Sequence, residues 1–376
     1  MIYFHIPFCK QACHYCDFHF STSIKYKNEM IEAMQTEIKN RANYLSENIV
    51  SSIYFGGGTP SILDTEDLLK LISTVEKYYQ IADGAEITIE ANPDDLTKEK
   101  VQALRGTPVN RFSIGIQSFF EEDLRWMNRA HNAQEADSSI KRVQDAGFDN
   151  ITCDLIYGYP LLTDQKWKSN IDKLISLDIP HISSYSMTVE GKTALAHFVK
   201  EGKTPAMSEN QSASQMLMLI DHLTKNGYEH YEISNFAKNG NYAKHNTNYW
   251  MGKQYLGIGP SAHSFNGVSR AWNVANNAKY TAALHDGSAF QEIESLSLDD
   301  RFNEYVMTSI RTMWGLNLQK VEQEFGYDYK MHIIRESKKF LEEGNLEFFN
   351  DHQLRTTTTG KLLADHIASE MFIVAY

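Results

Sequence analysis

Three of the four cysteines in this 376-residue chain lie within eight residues, at Cys9, Cys13 and Cys16. Their spacing is C-x3-C-x2-C, and no fourth cysteine follows nearby. Thiolates held this close repel one another unless a cation or a cluster gathers them. They are soft ligands, which select zinc or iron–sulfur clusters over hard ions. A closed zinc site takes four protein ligands, so zinc would have to recruit His5, His14 or His19, and zinc pairs are usually spaced C-x2-C or C-x4-C. A [4Fe-4S] cluster held by three cysteines instead leaves one iron open for chemistry. Disulfides fit poorly, because three is an odd number and the rest of the chain looks cytosolic. The stretch therefore reads as a cluster-binding loop, with a zinc-stabilised site as the competing reading.

The length suits one large core with a smaller satellite domain. Hydrophobic residues at 42% and charged residues at 22% are ordinary globular values. No apolar run is long enough to cross a bilayer. His5, Pro7, Lys10 and Asp17 interrupt the segment where a secretory signal would need unbroken apolarity, so a cytoplasmic location is the default. The formal net charge of −12 argues against a broad nucleic-acid surface. The 20 Tyr, 19 Phe and 5 Trp are enough to line a pocket for a large flat ligand, although aromatics more often serve packing.

Periodicity divides the first half into alternating elements. Residues 26–45 and 65–79 carry apolar residues at helical spacing, and Ser52-Ile-Tyr-Phe between them suits a buried strand. That strand ends in Gly56-Gly-Gly-Thr-Pro60, where missing Cβ atoms let backbone amides approach a charged group; a tight turn alone would also use such a run. Strand candidates follow at 86–91, 111–117, 150–157 and 181–187, with helices at 97–105, 121–129, 134–146 and 164–176. Strands alternating with helices in this way predict a parallel α/β sheet curled into a full or partial barrel, with ligands at the C-terminal strand ends. Glu90, Gln117 and Asp154 each close an apolar run at such an end. Singly, each has an ordinary role: a turn cap, a partner for a loop amide, a residue at a helix N-terminus. Arg129 alone reads as a helix-end cation, and Cys153, among apolar neighbours, as a core thiol.

Together, the lead-in Tyr3-Phe-His-Ile-Pro-Phe-Cys9 and the C-x3-C-x-Tyr-Cys spacing resemble the radical S-adenosylmethionine (SAM) superfamily, in its oxygen-independent coproporphyrinogen III oxidase-like branch. The resemblance implies a partial (β/α)6 TIM-like barrel in which Cys9, Cys13 and Cys16 hold a [4Fe-4S] cluster and SAM chelates the open iron. It further implies that Gly57, Gly58 and Thr59 meet the SAM amino group and Arg129 its carboxylate. Glu90, Gln117 and Asp154 would share the amino and ribose contacts, with Tyr3 beside the adenine.

Past residue 190 the texture changes. Residues 208–226 read as a long helix and Tyr228-Glu-His-Tyr-Glu-Ile-Ser-Asn-Phe as an edge strand. Residues 237–273 look loop-like and hold His245-Asn-Thr-Asn-Tyr-Trp250 and Gly257-Ile-Gly-Pro-Ser-Ala-His263. Long irregular segments in compact domains tend to be functional. A neutral imidazole suits haem iron and aromatics can cover the macrocycle, while an isolated histidine more often bonds a loop backbone. His-Asn-x-x-Tyr-Trp resembles the signature that separates the HemW haem chaperones from the true oxidases of the branch. Phe18 stands where the oxidases carry a further cysteine, and the chain starts almost at the motif, where they carry an N-terminal extension. This resemblance implies haem bound by His245, Tyr249 and Trp250, with His263 in reserve. From about residue 298, three helices, a two-strand wing near 346–356 and a closing helix resemble a small winged-helix domain. Its Lys338, Lys339 and Arg355 are mixed with many acids, so it is expected to pack against the barrel or a partner rather than bind nucleic acid.

The expected organisation is a barrel with its cluster loop over 1–200, a connecting region over 201–297 and a winged-helix-like α+β domain over 298–376. The expected function is that of a haem chaperone that binds [4Fe-4S], SAM and haem and delivers haem to apo-haemoproteins, membrane respiratory enzymes among them. An electron donor would serve the cluster, and oligomerisation and peripheral membrane attachment stay open. The alternatives are radical decarboxylation of coproporphyrinogen III propionates and a zinc-stabilised binding protein.

Overall fold

The computed structural model of the chain describes residues 1–374. Its first half alternates as the apolar pattern requires: β1 (Ile2–Ile6), α1 (Lys27–Asn40), β2 (Ile49–Gly57), α2 (Thr65–Tyr78), β3 (Gln80–Ala91), α3 (Lys98–Arg105), β4 (Arg111–Gln117), α4 (Glu121–Trp126), α5 (Ala133–Asp145), β5 (Ile151–Tyr157), α6 (Asp164–Ser176) and β6 (His181–Ser186). Local chemistry starts several helices: the side chains of Thr97, Asn132 and Thr163 each accept from the backbone amide three residues on. Strands β1 to β6 pair in parallel in chain order, so each crossover returns the chain beside the strand it left. After α7 (Ala194–Lys200) and α8 (Glu209–Lys225), an antiparallel hairpin of β7 (Tyr228–Glu232) and β8 (Asn235–Lys238) extends the sheet beyond β6. The parallel β9 (Leu256–Ile258) extends it beyond β1, leaving β7 and β9 as the edges of a nine-stranded open barrel.

The two faces of the barrel strands differ sharply. Ile53, Phe55, Ile87, Ile89, Phe112, Ile114, Ile151 and Cys153 form the buried apolar side. The alternate positions, Ser52, Glu86, Thr88, Arg111, Ser113, Thr152, His181 and Ser183, are equally buried but polar. Parallel strands covered on both sides are usually apolar throughout, so a polar interior marks a barrel built to hold something other than its own core. Near the strand starts these groups satisfy one another. Arg111 lies 3.8 Å from Glu86 and bonds Thr88 and Thr152, Thr152 meets His181 Nδ1 at 2.9 Å, and His181 Nε2 meets the Tyr231 hydroxyl at 2.7 Å.

Residues 237–273 are not the loop that their composition predicts. They contain α9 (Lys244–Trp250), β9, β10 (His263–Phe265) and β11 (Ser269–Asn273), the last two of which make a small antiparallel sheet with β12 (Gln291–Ser295). Helix α9 is rich in poor helix formers and has no side-chain cap of its own. The Glu86 carboxylate caps it instead from inside the barrel, accepting the amides of Lys244 at 3.0 Å and His245 at 2.9 Å. A second buried carboxylate, Glu37 on α1, accepts from Arg41, Gly259, Asn273 and Tyr280, which pins β9, β11 and α10 (Asn277–Asp286) to the first helix.

The chain ends in α11 (Leu298–Ile310), β13 (Leu316–Asn317), α12 (Leu318–Glu324), α13 (Tyr327–Glu342), β14 (Leu346–Asn350), β15 (Gln353–Thr356) and α14 (Ala364–Glu370), a winged-helix order with a core of its own around Phe302, Ile333 and Phe340. It sits against the barrel edge, where Met313 donates to the Tyr231 carbonyl at 2.9 Å and Lys361 Nζ meets His230 Nδ1 at 2.8 Å. Replacing the capping carboxylate tests this arrangement. Glu86→Ala strands two helix amides and leaves Arg111 without its acid, so urea unfolding should show a loss of about 3 kcal/mol.

Candidate functional site

The cysteine loop is pinned from several directions. Ser21 donates to the Pro7 carbonyl at 2.9 Å and Cys9 to the Ser21 carbonyl at 3.0 Å, closing the loop on itself. His14 donates to the Met127 carbonyl at 3.0 Å, and the Gln11 and Asn128 side chains bond across to each other's segment. The turn after β2 docks onto the lead-in: Gly58 donates to the Ile6 carbonyl and Thr59 to the Phe8 carbonyl. A Cβ at position 58 would lie 2.6 Å from that Phe8 oxygen, so only glycine allows this approach.

Cys9, Cys13 and Cys16 all line one cavity of about 690 Å3 at the C-terminal strand ends. Gly57, Gly58, Thr59, Glu90, Gln117, Arg129 and Asp154 line it too, so the fold gathers these residues from the ends of β2, β3 and β4, the middle of β5 and the turn after α4. Among the described residues no three His, Cys, Asp or Glu side chains converge tightly enough for a single metal ion. A four-iron cluster binds each cysteine through a different iron, which suits thiols set apart better than zinc does. Burial pushes the Cys9 thiol up, and pushes Cys16 up to about 11 against a backbone hydrogen bond from Phe18. Ligation would release these protons.

The cavity also presents a cation and two carboxyls for a zwitterionic ligand. Arg129 is fixed by Asn92 at 2.7 Å and the Gly115 carbonyl at 3.0 Å, and one guanidinium nitrogen is 3.4 Å from Cys13 Sγ. Its Nε is buried with no hydrogen-bond partner among the described residues. Gln117 ends β4 with φ of 64°, a strained backbone for a residue with a side chain. A Cβ on Gly115 would lie 2.9 Å from Gln117 Nε2 and 3.2 Å from an Arg129 nitrogen, so this glycine makes room for both. Glu90 accepts from the Tyr54 hydroxyl at 2.7 Å and the Gly57 amide at 3.2 Å, and burial lifts its carboxyl to about 7. Burial also lifts Asp154 to about 6, with Arg111 opposing. Three separated thiols, a glycine cradle and an arginine with an unused donor fit a cluster with SAM beside it. Asn92, Arg111, Ser183, Tyr185 and Asn246 line the same cavity and were not singled out from the sequence. Alternation along β4 and β6 would have found Arg111, Ser183 and Tyr185.

Tyr3 is not among the residues of this cavity. It lines a neighbouring one of about 890 Å3 between the barrel and the C-terminal domain, with Tyr249, Trp250 and His263. Its ring stacks on Tyr54, which lines the first cavity, and its hydroxyl turns to His5 Nδ1. His245 lines neither cavity. It is 1% exposed, its Nδ1 meets Ser52 Oγ at 2.9 Å, its Nε2 meets the Tyr249 hydroxyl at 3.0 Å, and burial holds its pKa well below the usual value. With both ring nitrogens engaged, it is a support for α9 rather than an imidazole open to iron. Helix α9 thus stands between the cavities, turning Asn246 to one and Tyr249 and Trp250 to the other. Asp17 and Phe18 line both.

The raised Glu90 carboxyl has a measurable consequence. Its folded value lies above its unfolded one, so its contribution to stability is full below about pH 4.5 and is lost as pH rises through about 7. In metal-free protein, Glu90→Gln should therefore gain on the parent chain between pH 5 and pH 8, read as the difference in urea midpoints. An unchanging difference would mean that Glu90 ionises freely in the fold.

A family model for the radical SAM superfamily matches residues 3–174, and one for the HemN C-terminal domain matches residues 296–363. Among relatives, "Heme chaperone HemW" of Bacillus subtilis is 31% identical over 368 residues, covering 97% of each chain. "Heme chaperone HemW" of Lactococcus lactis is 32% identical over 372 residues, covering 99% of this chain and 97% of that protein. The solved coproporphyrinogen III oxidase HemN of Escherichia coli, a radical SAM enzyme, superposes with a TM-score of 0.85 at 24% identity, covering 99% of this chain and 89% of that one. That likeness carries the fold: the partial barrel and the added C-terminal domain. The resemblance read from the cysteine motif is borne out over the full length, and the chain belongs to the HemW family within the radical SAM superfamily.

Proposed function

We propose that the chain is a haem chaperone, which holds a [4Fe-4S] cluster on Cys9, Cys13 and Cys16, binds SAM in the cluster cavity, and carries haem to apo-haemoproteins. The observation that carries this is the pairing of cavities across the cysteine loop, one lined by thiols and carboxyls, the other by Tyr249, Trp250 and other aromatics. The full-length relatives named as haem chaperones support it. A cluster held there would supply one-electron reducing chemistry beside SAM. The chain's own part is positioning: Arg129 meets the SAM carboxylate, while Glu90, Gln117, Asp154 and the Gly57–Thr59 turn meet its amino and ribose groups. Haem lies against Tyr249 and Trp250, and His263, exposed at the cavity, offers the free imidazole. His245 acts beneath them by fixing the Tyr249 hydroxyl. Acceptors include membrane respiratory enzymes, met from outside the bilayer; no helix of the described residues is long and apolar enough to cross a membrane.

Anaerobic reconstitution should give iron, sulfide and cluster absorbance in the parent chain, all lost in Cys9→Ala, Cys13→Ala or Cys16→Ala; stoichiometric zinc without sulfide would support the zinc-stabilised reading instead. Reconstituted protein given coproporphyrinogen III and a reductant should form no protoporphyrinogen, and steady turnover would make it an oxidase. In haem titrations, His245→Ala should weaken binding several-fold while leaving the Soret position of the bound form in place. A moved Soret band would put His245 on the iron.

A further inference from the structure

The larger cavity is closed on one side by the C-terminal domain, and its charges are unevenly committed. Helix α11 presents Arg301, Glu304, Tyr305 and Thr308 to it, a spacing of three, four and seven that puts all four on one face. Helix α12 adds Lys320 and Glu324, and the turn after α9 adds Lys253. Arg270 is committed to Glu304 at 2.7 Å. Lys320 reaches Glu324, on its own helix, only at 3.9 Å, and rests over the Tyr305 ring at 4.5 Å. Among the described residues Arg301 and Lys253 have no carboxylate within ion-pair distance, and the Arg301 Nε is buried without any hydrogen-bond partner. Apart from the Arg270–Glu304 pair, the acids are Asp17, on the cysteine-loop wall, and Glu324.

A buried guanidinium nitrogen with no acceptor is costly unless a ligand completes it. The remaining wall is aromatic: Tyr249, Trp250, Tyr255, Phe265, Tyr305 and Phe325. About 890 Å3 lies within the roughly 300–1,000 Å3 usual for ligand pockets. A flat apolar ring bearing carboxylates on one edge matches such a wall, with charge-assisted bonds at the cationic end. Resting on the haem-chaperone reading above, the geometry points to a dicarboxylate tetrapyrrole bound between the two domains, its propionates held by Arg301 and Lys320 of the C-terminal domain and by Lys253. The C-terminal domain is then part of the cargo site rather than only a packing partner of the barrel.

The test compares haem with haem dimethyl ester, titrated into the reconstituted full chain and into Arg301→Gln/Lys320→Gln. The parent chain should bind haem roughly tenfold or more tighter than the ester, as expected for charge-assisted bonds at a partly buried site. The double variant should lose that preference by weakening haem while binding the ester as before, which also shows that its cavity is intact. Arg301→Lys in place of Gln should restore part of the preference. Equal binding of haem and ester by the parent chain, or an undiminished preference in the double variant, overturns the assignment of the propionates while leaving haem binding itself in place. Absence of any haem binding by the parent chain would instead remove the chaperone reading, and this inference with it.

Discussion

A carboxylate enclosed in a protein is tolerable only when its lone pairs are used, and Glu86 uses them to set the depth of the whole barrel. It faces Arg111 on the neighbouring strand and caps α9 from within. Without it, a helix composed largely of Lys, His, Asn and Thr has little reason to form. With it, the helix enters the barrel interior and becomes a floor. The layers above, Ser113, Asp154 and Glu90, are then free to face a ligand at the open end.

The opposite end is organised by close backbone approach. The turn after β2 lies directly on the lead-in to the cysteine loop, which only Gly58 permits, and β4 ends in a left-handed Gln117 beside a glycine that leaves space for Arg129. Strain of this kind persists where the surroundings over-determine it. Here the surroundings are the strand pairing on one side and the Asn92 and Gly115 contacts of Arg129 on the other.

Alternating periodicity made the barrel half legible: helix α6 falls at residues 164–176 as its spacing predicts, and Glu90 and Gln117 lie at the ends of β3 and β4, whereas Asp154 reaches the same cavity from the middle of β5. The cysteine spacing made the radical SAM family legible because three nearby thiolates have few other uses. The region after residue 237 was opaque for a physical reason. The cap of α9 lies 159 residues away in sequence, so no local pattern announces the helix. His245 looked like a ligand because a loop histidine among aromatics would be free; inside the barrel it is saturated by Ser52 and Tyr249. Tyr3 lines the other cavity, its ring stacked on Tyr54 of the first.

The short segment after Cys16 is a shared partition. Phe18, 66% exposed, and Asp17 belong to both chambers and are one or two residues from Cys16, which under the proposed function would hold the cluster. Tightening or slackening that sulfur anchor therefore moves a wall of the adjoining room. On the proposed reading, oxygen damage in one compartment would then be felt at the wall of the other, because Asp17 and Phe18 are common to both.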